Sequence, residues 1–365
     1  FGASGRWKRR ITPDNLISKI DTPSRINSEE IIAGQSLRKY QVLALLAGFT
    51  LAFLAAIKIG AVPIDLGDVL AGTASFVKTQ VFYNIRLPRV ILAALVGCSL
   101  AIAGAALQGL LRNPLADPGL IGVSSGAALG AISMIVLGEM LELPSELRPY
   151  ALPVSAIIGA ISVTSLLFVF AQSRRQFAVV TILLVGIAIN ALAGVGIGIF
   201  QYISDDSQLR TLTFWMMGSL GRGTWEMLIP AAFLIGVSSF LIFKSCRELD
   251  LIQLGEPEAE FLGVDVQALK RRIILGSAIG VGAAVSLSGM IGFIGLVVPH
   301  LVRLGVGVPH KIVVIGSAIL GAALLVMADL VARVTIPPAE VPVSIITSAI
   351  GAPFFLWLIL RERNL

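Results

Sequence analysis

Asp329, Arg333 and Glu340 lie close together in the chain, and two carboxylates beside a cation are a pattern suited to acid–base work. No nucleophile–base pair and no metal-ligand spacing accompanies them. His300 and His310 fall near the ends of apolar runs and do not form a proton relay. Cys98, within an apolar run, and Cys246, near a helix end, read as small apolar side chains rather than a disulfide framework. The phosphate-cradling pattern G-x-x-x-x-G-K-[ST] does not occur. The sequence therefore predicts no catalytic residues, no bound metal and no permanent cofactor.

The elements that must position these residues are membrane helices. Arg86-Leu-Pro-Arg89 is followed by an unbroken small-residue apolar run from Val90 to Leu111, long enough to cross a bilayer. Arg-Pro is expected to cap this helix at one end. At the other stands the elbow Asn113-Pro-Leu-Ala-Asp-Pro-Gly119, which must pack inside protein or line a cavity, because bare backbone in lipid loses its hydrogen bonds. With 56% hydrophobic residues, 14% charged residues and a mean hydropathy of +0.89, a soluble domain of 365 residues is excluded. Alternating strands of about ten residues, the mark of a barrel, are absent.

Ten spans are expected, at approximately 41–59, 89–111, 118–137, 150–171, 178–200, 225–244, 270–289, 291–304, 311–332 and 343–360. A cytoplasmic N-terminus places about 20 Lys and Arg inside and about 8 outside, so both termini are expected inside. Arg86, Arg148, Arg210 and Arg333 then lie outside, and the net charge of +6 reflects topology rather than nucleic-acid binding. Residues 1–40 form a polar, basic segment without the apolar core of a signal peptide, ahead of a membrane domain over 41–365. A chain opening at Phe1 rather than methionine is expected to be truncated or tagged. An internal repeat is also visible: the register that matches Arg89-Val-Ile-Leu to Arg272-Ile-Ile-Leu aligns Gly97 with Gly280 and Gly109 with Gly292. The copies start on opposite faces of the membrane, which makes the repeat inverted.

What would drive such a molecule is not in the chain. Asp329 is the main acidic residue inside an expected span, whereas an ion-coupled carrier usually holds ionisable groups near mid-membrane. The longest inner loop, 248–269, is amphipathic and too polar for lipid. Leu251, Leu254, Ala259 and Leu262 form an apolar face flanked by Gly255 and Gly263, suited to docking in a partner's groove. The plain alternative is an ordinary surface loop.

Four segments together resemble the permeases of binding-protein-dependent ABC importers for iron chelates, haem and vitamin B12. They are Arg86–Arg89 with its span, Asn113–Gly126, Gly292-Phe-Ile-Gly-Leu-Val-Val-Pro-His-Leu-Val-Arg303, and Ala328–Arg333 continued through Glu340-Val-Pro342 to Trp357. The resemblance covers about residues 41–361. It implies an all-α type II importer permease in the bacterial inner membrane, paired as a homodimer with two cytoplasmic ATPases and a periplasmic binding protein. ATP and Mg would be used by the ATPases. Arg86, Arg89 and Arg333 match rim arginines that meet acidic residues of the binding protein; the plain alternative is interfacial snorkelling. Asn113 and Leu115 match a cytoplasmic gate, although an Asn beside Pro114 also serves as a turn. Val179 and Val180 stand where a relative has small hydroxyl residues at that gate, and an apolar constriction closes by dewetting. Leu254, Gly255, Glu256, Ala259, Leu262 and Gly263 match the segment that couples to the ATPase.

The outer loop Ser204–Gly218 looks closest to haem permeases, with Arg210 able to attract propionates or to pair with Asp205 or Asp206. Met216 and Met217 read as packing residues rather than iron ligands. The cargo expected is haem, with a ferric siderophore or a corrinoid as alternatives. A secondary carrier working without ATP and a membrane enzyme are the competing classes.

Overall fold

The computed structural model describes residues 28–60, 62–172, 179–336 and 339–362. Contacts divide the chain into two units, Phe1–Gln41 and Val42–Leu365. Every regular element among the described residues is helical. The elements are α1 (Ser28–Lys58), α2 (Leu66–Leu70), α3 (Phe76–Leu111), α4 (Val123–Leu137), α5 (Arg148–Gln172), α6 (Val179–Ile203) and α7 (Asp206–Met216). Then follow α8 (Trp225–Lys244), α9 (Cys246–Leu251), α10 (Glu256–Phe261), α11 (Val266–Ser288), α12 (Ile294–Gly305), α13 (His310–Val334) and α14 (Val343–Glu362). Eight helices among the described residues have the length and hydropathy to cross a membrane, and α12 and α14 add two shorter apolar ones. The chain is a multi-pass helical membrane protein.

Two boundaries differ from expectation. α3 is not capped at Arg86-Leu-Pro but runs back through it to Phe76. The cause is a π-helical turn over Val81–Arg86, where the Leu87 N–H reaches back five residues to the Phe82 carbonyl. That widened turn absorbs the missing donor and the ring of Pro88. The third span starts at Val123 rather than 118. Pro118–Ile121 is a separate 3-10 turn capped by Asp117, and Gly122, with φ of 82°, breaks it from α4.

α3 and α11, which carry Arg89 and Arg272 of the expected repeat, are the most buried of the long helices. α3 packs against α13 with backbones nearly touching. A Cβ on Gly97 would lie 2.2 Å from the Gly321 carbonyl oxygen, and one on Gly104 would lie 1.9 Å from that of Gly295 in α12. Only glycine permits such approach, and close backbone packing is what holds helices together in lipid. The outward faces of α6 (Leu184, Ile187, Leu192, Val195) and α8 (Phe233, Phe240) are exposed and apolar, as a lipid or partner contact requires. Cys98 and Cys246 are both free.

Candidate functional site

The α3–α13 pair defines two ends of the molecule. At one end Gly109 of α3 meets His310 of α13; at the other Arg89 of α3 meets Asp329 of α13. At 1.5 Å per residue these points are about 30 Å apart, the thickness of a bilayer core.

At the Arg89 end the charges of the candidate acid–base group come together, but each is consumed by the others. Arg89 is 7% exposed and donates to Asp329 Oδ1 from Nε at 3.0 Å and from Nη2 at 2.9 Å. Its Nη1 reaches Glu340 Oε1 at 2.6 Å. The other Asp329 oxygen lies 3.1 Å from Nε of Arg333, one turn along α13. Arg333 also donates from Nη2 to the Ala56 carbonyl at 3.1 Å, which ties α1 to the network. Arg86, 5% exposed, donates from Nη1 to the Ile57 carbonyl at 2.9 Å and from Nη2 to the Val62 carbonyl at 2.8 Å. The hydrogen bond from Arg89 holds the Glu340 carboxyl below the usual carboxylate range, against a smaller opposing effect of burial. Asp329 is 1% exposed and bracketed by two guanidinium groups, so it has no free oxygen for proton transfer. Among the described residues no group of histidine, cysteine and acidic side chains could hold a metal ion.

Arg86, Arg89 and Arg333 are thus gathered at one end as expected, but their guanidinium groups face inward. The sequence alone could not show this, because the carbonyl acceptors Ala56, Ile57, Lys58 and Val62 lie in a separate segment of the chain. Beside them a cavity of about 380 Å³ is lined by Arg89, Phe214, Trp215, Arg222, Met227 and Glu340, among others. Arg210 is exposed and forms no ion pair among the described residues; Asp205 instead caps α7 by accepting from the Gln208 N–H at 2.8 Å.

The elbow follows α3. Asn113 Oδ1 accepts from the Leu115 N–H at 2.9 Å, so the asparagine makes the turn, while the Leu115 side chain is exposed. Asp117 Oδ1 accepts from the Gly119 N–H at 2.7 Å. Burial pushes the Asp117 carboxyl above its ordinary range, and the Gly119 hydrogen bond opposes that shift. The side chains of Val179 and Val180 lie outside the described residues. Deeper in, Arg303 donates to Gln108 Oε1, and Gln108 Nε2 donates to the Leu296 carbonyl at 3.1 Å, a polar bridge between α12 and α3.

Segment 248–269, expected to couple to a partner, sits at the Gly109 end. Ala259 is fully buried and Leu251 half-buried, whereas Leu254, Leu262 and Phe261 are exposed, Phe261 at 93%. The apolar face is therefore split: Ala259 anchors the segment and the other three remain open. Gly255, at φ of 132°, makes the turn into α10, and Gly263, at φ of 88°, ends it. Side chains pin the segment to its neighbours. Buried Lys270 reaches Glu256 Oε2 at 2.8 Å, and Arg272 reaches Glu248 Oε2 at 2.8 Å, both from α11. Asp250 receives His310, and Gln253 Nε2 donates to the Gly109 carbonyl at 2.8 Å. Sequence reasoning missed Phe261 and the Asp250–His310 pair. The first lay in plain view beside Leu262; the second spans sixty residues and leaves no local signal.

The model of the FecCD transport family matches residues 46–361. The hemin transport system permease protein HmuU of Yersinia pestis is 49% identical over 285 residues, which are 78% of this chain and 84% of that protein. The vitamin B12 import system permease protein BtuC of Vibrio cholerae is 41% identical over 290 residues, 80% of this chain and 86% of that protein. A solved structure described as an inward-facing conformation of an ABC transporter of metal-chelate type superposes with a TM-score of 0.78 at 32% identity. It covers 88% of this chain and 98% of its own.

Proposed function

We propose that this chain, which belongs to the FecCD transport family, is the permease subunit of an ATP-driven, binding-protein-dependent importer that moves haem by alternating access. The observation that carries the cargo is the 49% identity to a hemin permease across most of both chains. The 41% identity to a vitamin B12 permease keeps a corrinoid as the second reading. The role of a translocating subunit without its own chemistry agrees with a charge cluster whose members neutralise one another.

In this reading the chain pairs with a second copy, and the Gly109 end faces the cytoplasm with both termini. Residues 1–40 form a cytoplasmic segment and 41–365 the permease domain. The exposed residues Leu254, Phe261 and Leu262, presented by Gly255, Glu256, Ala259 and Gly263 within loop 248–269, meet the ATPase. Hydrolysis of ATP with Mg belongs to that partner. The Arg89 end receives the periplasmic binding protein. Arg86, Arg89 and Arg333 shape that docking rim from within, and the exposed Arg222 and Arg210 offer it open charge, Arg210 also standing ready for a propionate. Asn113 sets the elbow that projects Leu115 as a gate, to which Val179 and Val180 are also assigned.

The test is uptake into proteoliposomes holding the permease, its ATPase and its binding protein loaded in turn with haem, a ferric siderophore and a corrinoid. ATP-dependent accumulation of haem is expected. Accumulation of a corrinoid or siderophore alone would replace the cargo, and transport without ATP would replace the class.

A further inference from the structure

Three elements converge on Gly109. Its carbonyl accepts from Gln253 Nε2 at 2.8 Å, and the same amide donates to the Leu249 carbonyl at 2.9 Å. Its Cα lies against the imidazole of His310, so close that a Cβ there would be 2.2 Å from Nε2. His310 opens α13, and one carboxylate oxygen of Asp250 accepts both its backbone N–H, at 2.9 Å, and its Nδ1, at 2.7 Å. Asp250 therefore stabilises the N-terminus of α13 and orients the ring in a single contact.

The tautomer follows from these partners. Nδ1 faces a carboxylate and carries the proton, which leaves Nε2 a bare lone pair, buried and without a hydrogen-bond partner. A packed hydrocarbon side chain would fill this space without the cost of an unsatisfied nitrogen. The imidazole supplies what hydrocarbon cannot: a directional link from the coupling segment to α13, with its other edge seated on α3. Along the membrane the same two helices meet again at Gly97 and Gly321, and are joined at their far end by Arg89 and Asp329.

We propose that Asp250, His310 and Gln253 form a clamp that makes α3 and α13 follow the coupling segment as one rigid body. A displacement imposed on Leu254, Phe261 and Leu262 is then delivered, about 30 Å away, to the Arg89 end and to the Glu340 segment that leads into α14. These are positioning residues: none needs to touch cargo or ATP. The inference rests on the proposed reading that the exposed face meets an ATPase.

The test uses the full permease assembled with its ATPase in proteoliposomes, with spin labels on the exposed residues Glu260 of α10 and Ile315 of α13. In the wild-type sequence the label-to-label distance is expected to stay unchanged when ATP binds. In Asp250→Ala and Gln253→Ala it is expected to shift or broaden, with the ATPase still co-purifying. Cargo uptake per ATP is expected to fall about tenfold in Asp250→Ala, which loses a charge-assisted hydrogen bond, and about threefold in Gln253→Ala, which loses a neutral one. His310→Asn, whose amide nitrogen can stand where Nδ1 stands, is expected to restore uptake per ATP to within about twofold of wild type, while His310→Ala is not. Unchanged distances and unchanged uptake per ATP in Asp250→Ala and Gln253→Ala would overturn the clamp, as would His310→Asn behaving like His310→Ala. The distances need no cargo. If the wild-type complex moves no haem, the cargo reading fails while the clamp is still decided.

Discussion

The two ends of the α3–α13 pair are held by opposite kinds of electrostatics. At the Arg89 end the central charges are buried: Asp329 and its two arginine partners keep side-chain exposures of 10% or less, while the outlying Glu340, at 48%, reaches water. At the Gly109 end each ion pair has at least one partner in water. Lys270 is buried but Glu256 is 30% exposed, His310 is buried but Asp250 is 43% exposed, and Arg272 and Glu248 are both partly exposed. A fully buried pair is costly to open, because separation strands charges in a low dielectric. A half-exposed pair such as Lys270–Glu256 or Arg272–Glu248 can trade its partner for water at small cost, whereas Asp250 is also held by the His310 backbone N–H. The difference teaches that the Arg89 end is built as a lock, and the Gly109 end as a joint toward α11 that Asp250, His310 and Gln253 keep fastened to α3 and α13. An ATP-driven machine needs its joint where force enters.

The predictions sharpen that contrast in descending order. Asp329→Ala removes the one carboxylate between two buried arginines and is expected to cost about 3–5 kcal/mol. Thermal unfolding in detergent reads this; a variant as stable as wild type would abolish the lock. Phe261→Asp, at a side chain exposed in the isolated chain, is expected to leave unfolding unchanged yet cost about 2 kcal/mol or more of ATPase affinity. Intact co-purification in that variant would move the joint elsewhere.

Gly104→Ala forces a Cβ toward the Gly295 carbonyl and is expected to cost about 1–3 kcal/mol, since backbone rather than a flexible side chain must yield. Glu256→Gln weakens the hold on Lys270 and is expected to destabilise by about 1 kcal/mol, with the larger loss in uptake per ATP. The smallest effect belongs to Glu340. Its folded pKa is lowered by Arg89, so its contribution is fully present above the ordinary carboxylate pKa and is lost as pH falls through the lowered value. Unfolding midpoints of wild type and Glu340→Gln are therefore expected to differ by a constant amount at neutral pH and to converge in acid. The difference should stay under about 1 kcal/mol because the carboxylate is half-exposed.

Much of the architecture was readable from composition and periodicity. Ten apolar runs match eight long and two short helices because lipid solvation imposes length and hydrophobicity on each span independently of its neighbours. The start of α3 was not readable, since a π turn that accommodates Pro88 has no sequence signature of its own. Segment 248–269 was singled out by its amphipathicity, but which of its residues stay open depends on packing: Ala259 turns inward while Phe261 turns out. The same limit applied to Arg86, Arg89 and Arg333. Sequence placed them at one end, and only the fold could aim their guanidinium groups at Ile57, Val62, Asp329 and Ala56.

The most direct test of lock against joint is hydrogen exchange on the permease–ATPase complex, with and without ATP. Amide protection over 246–262 is expected to change on nucleotide binding, while 86–92 and 326–334 remain protected in both states, because a locked end moves without opening its hydrogen bonds. Exchange that opens at 86–92 and 326–334 on ATP binding, with 246–262 unchanged, would contradict the account.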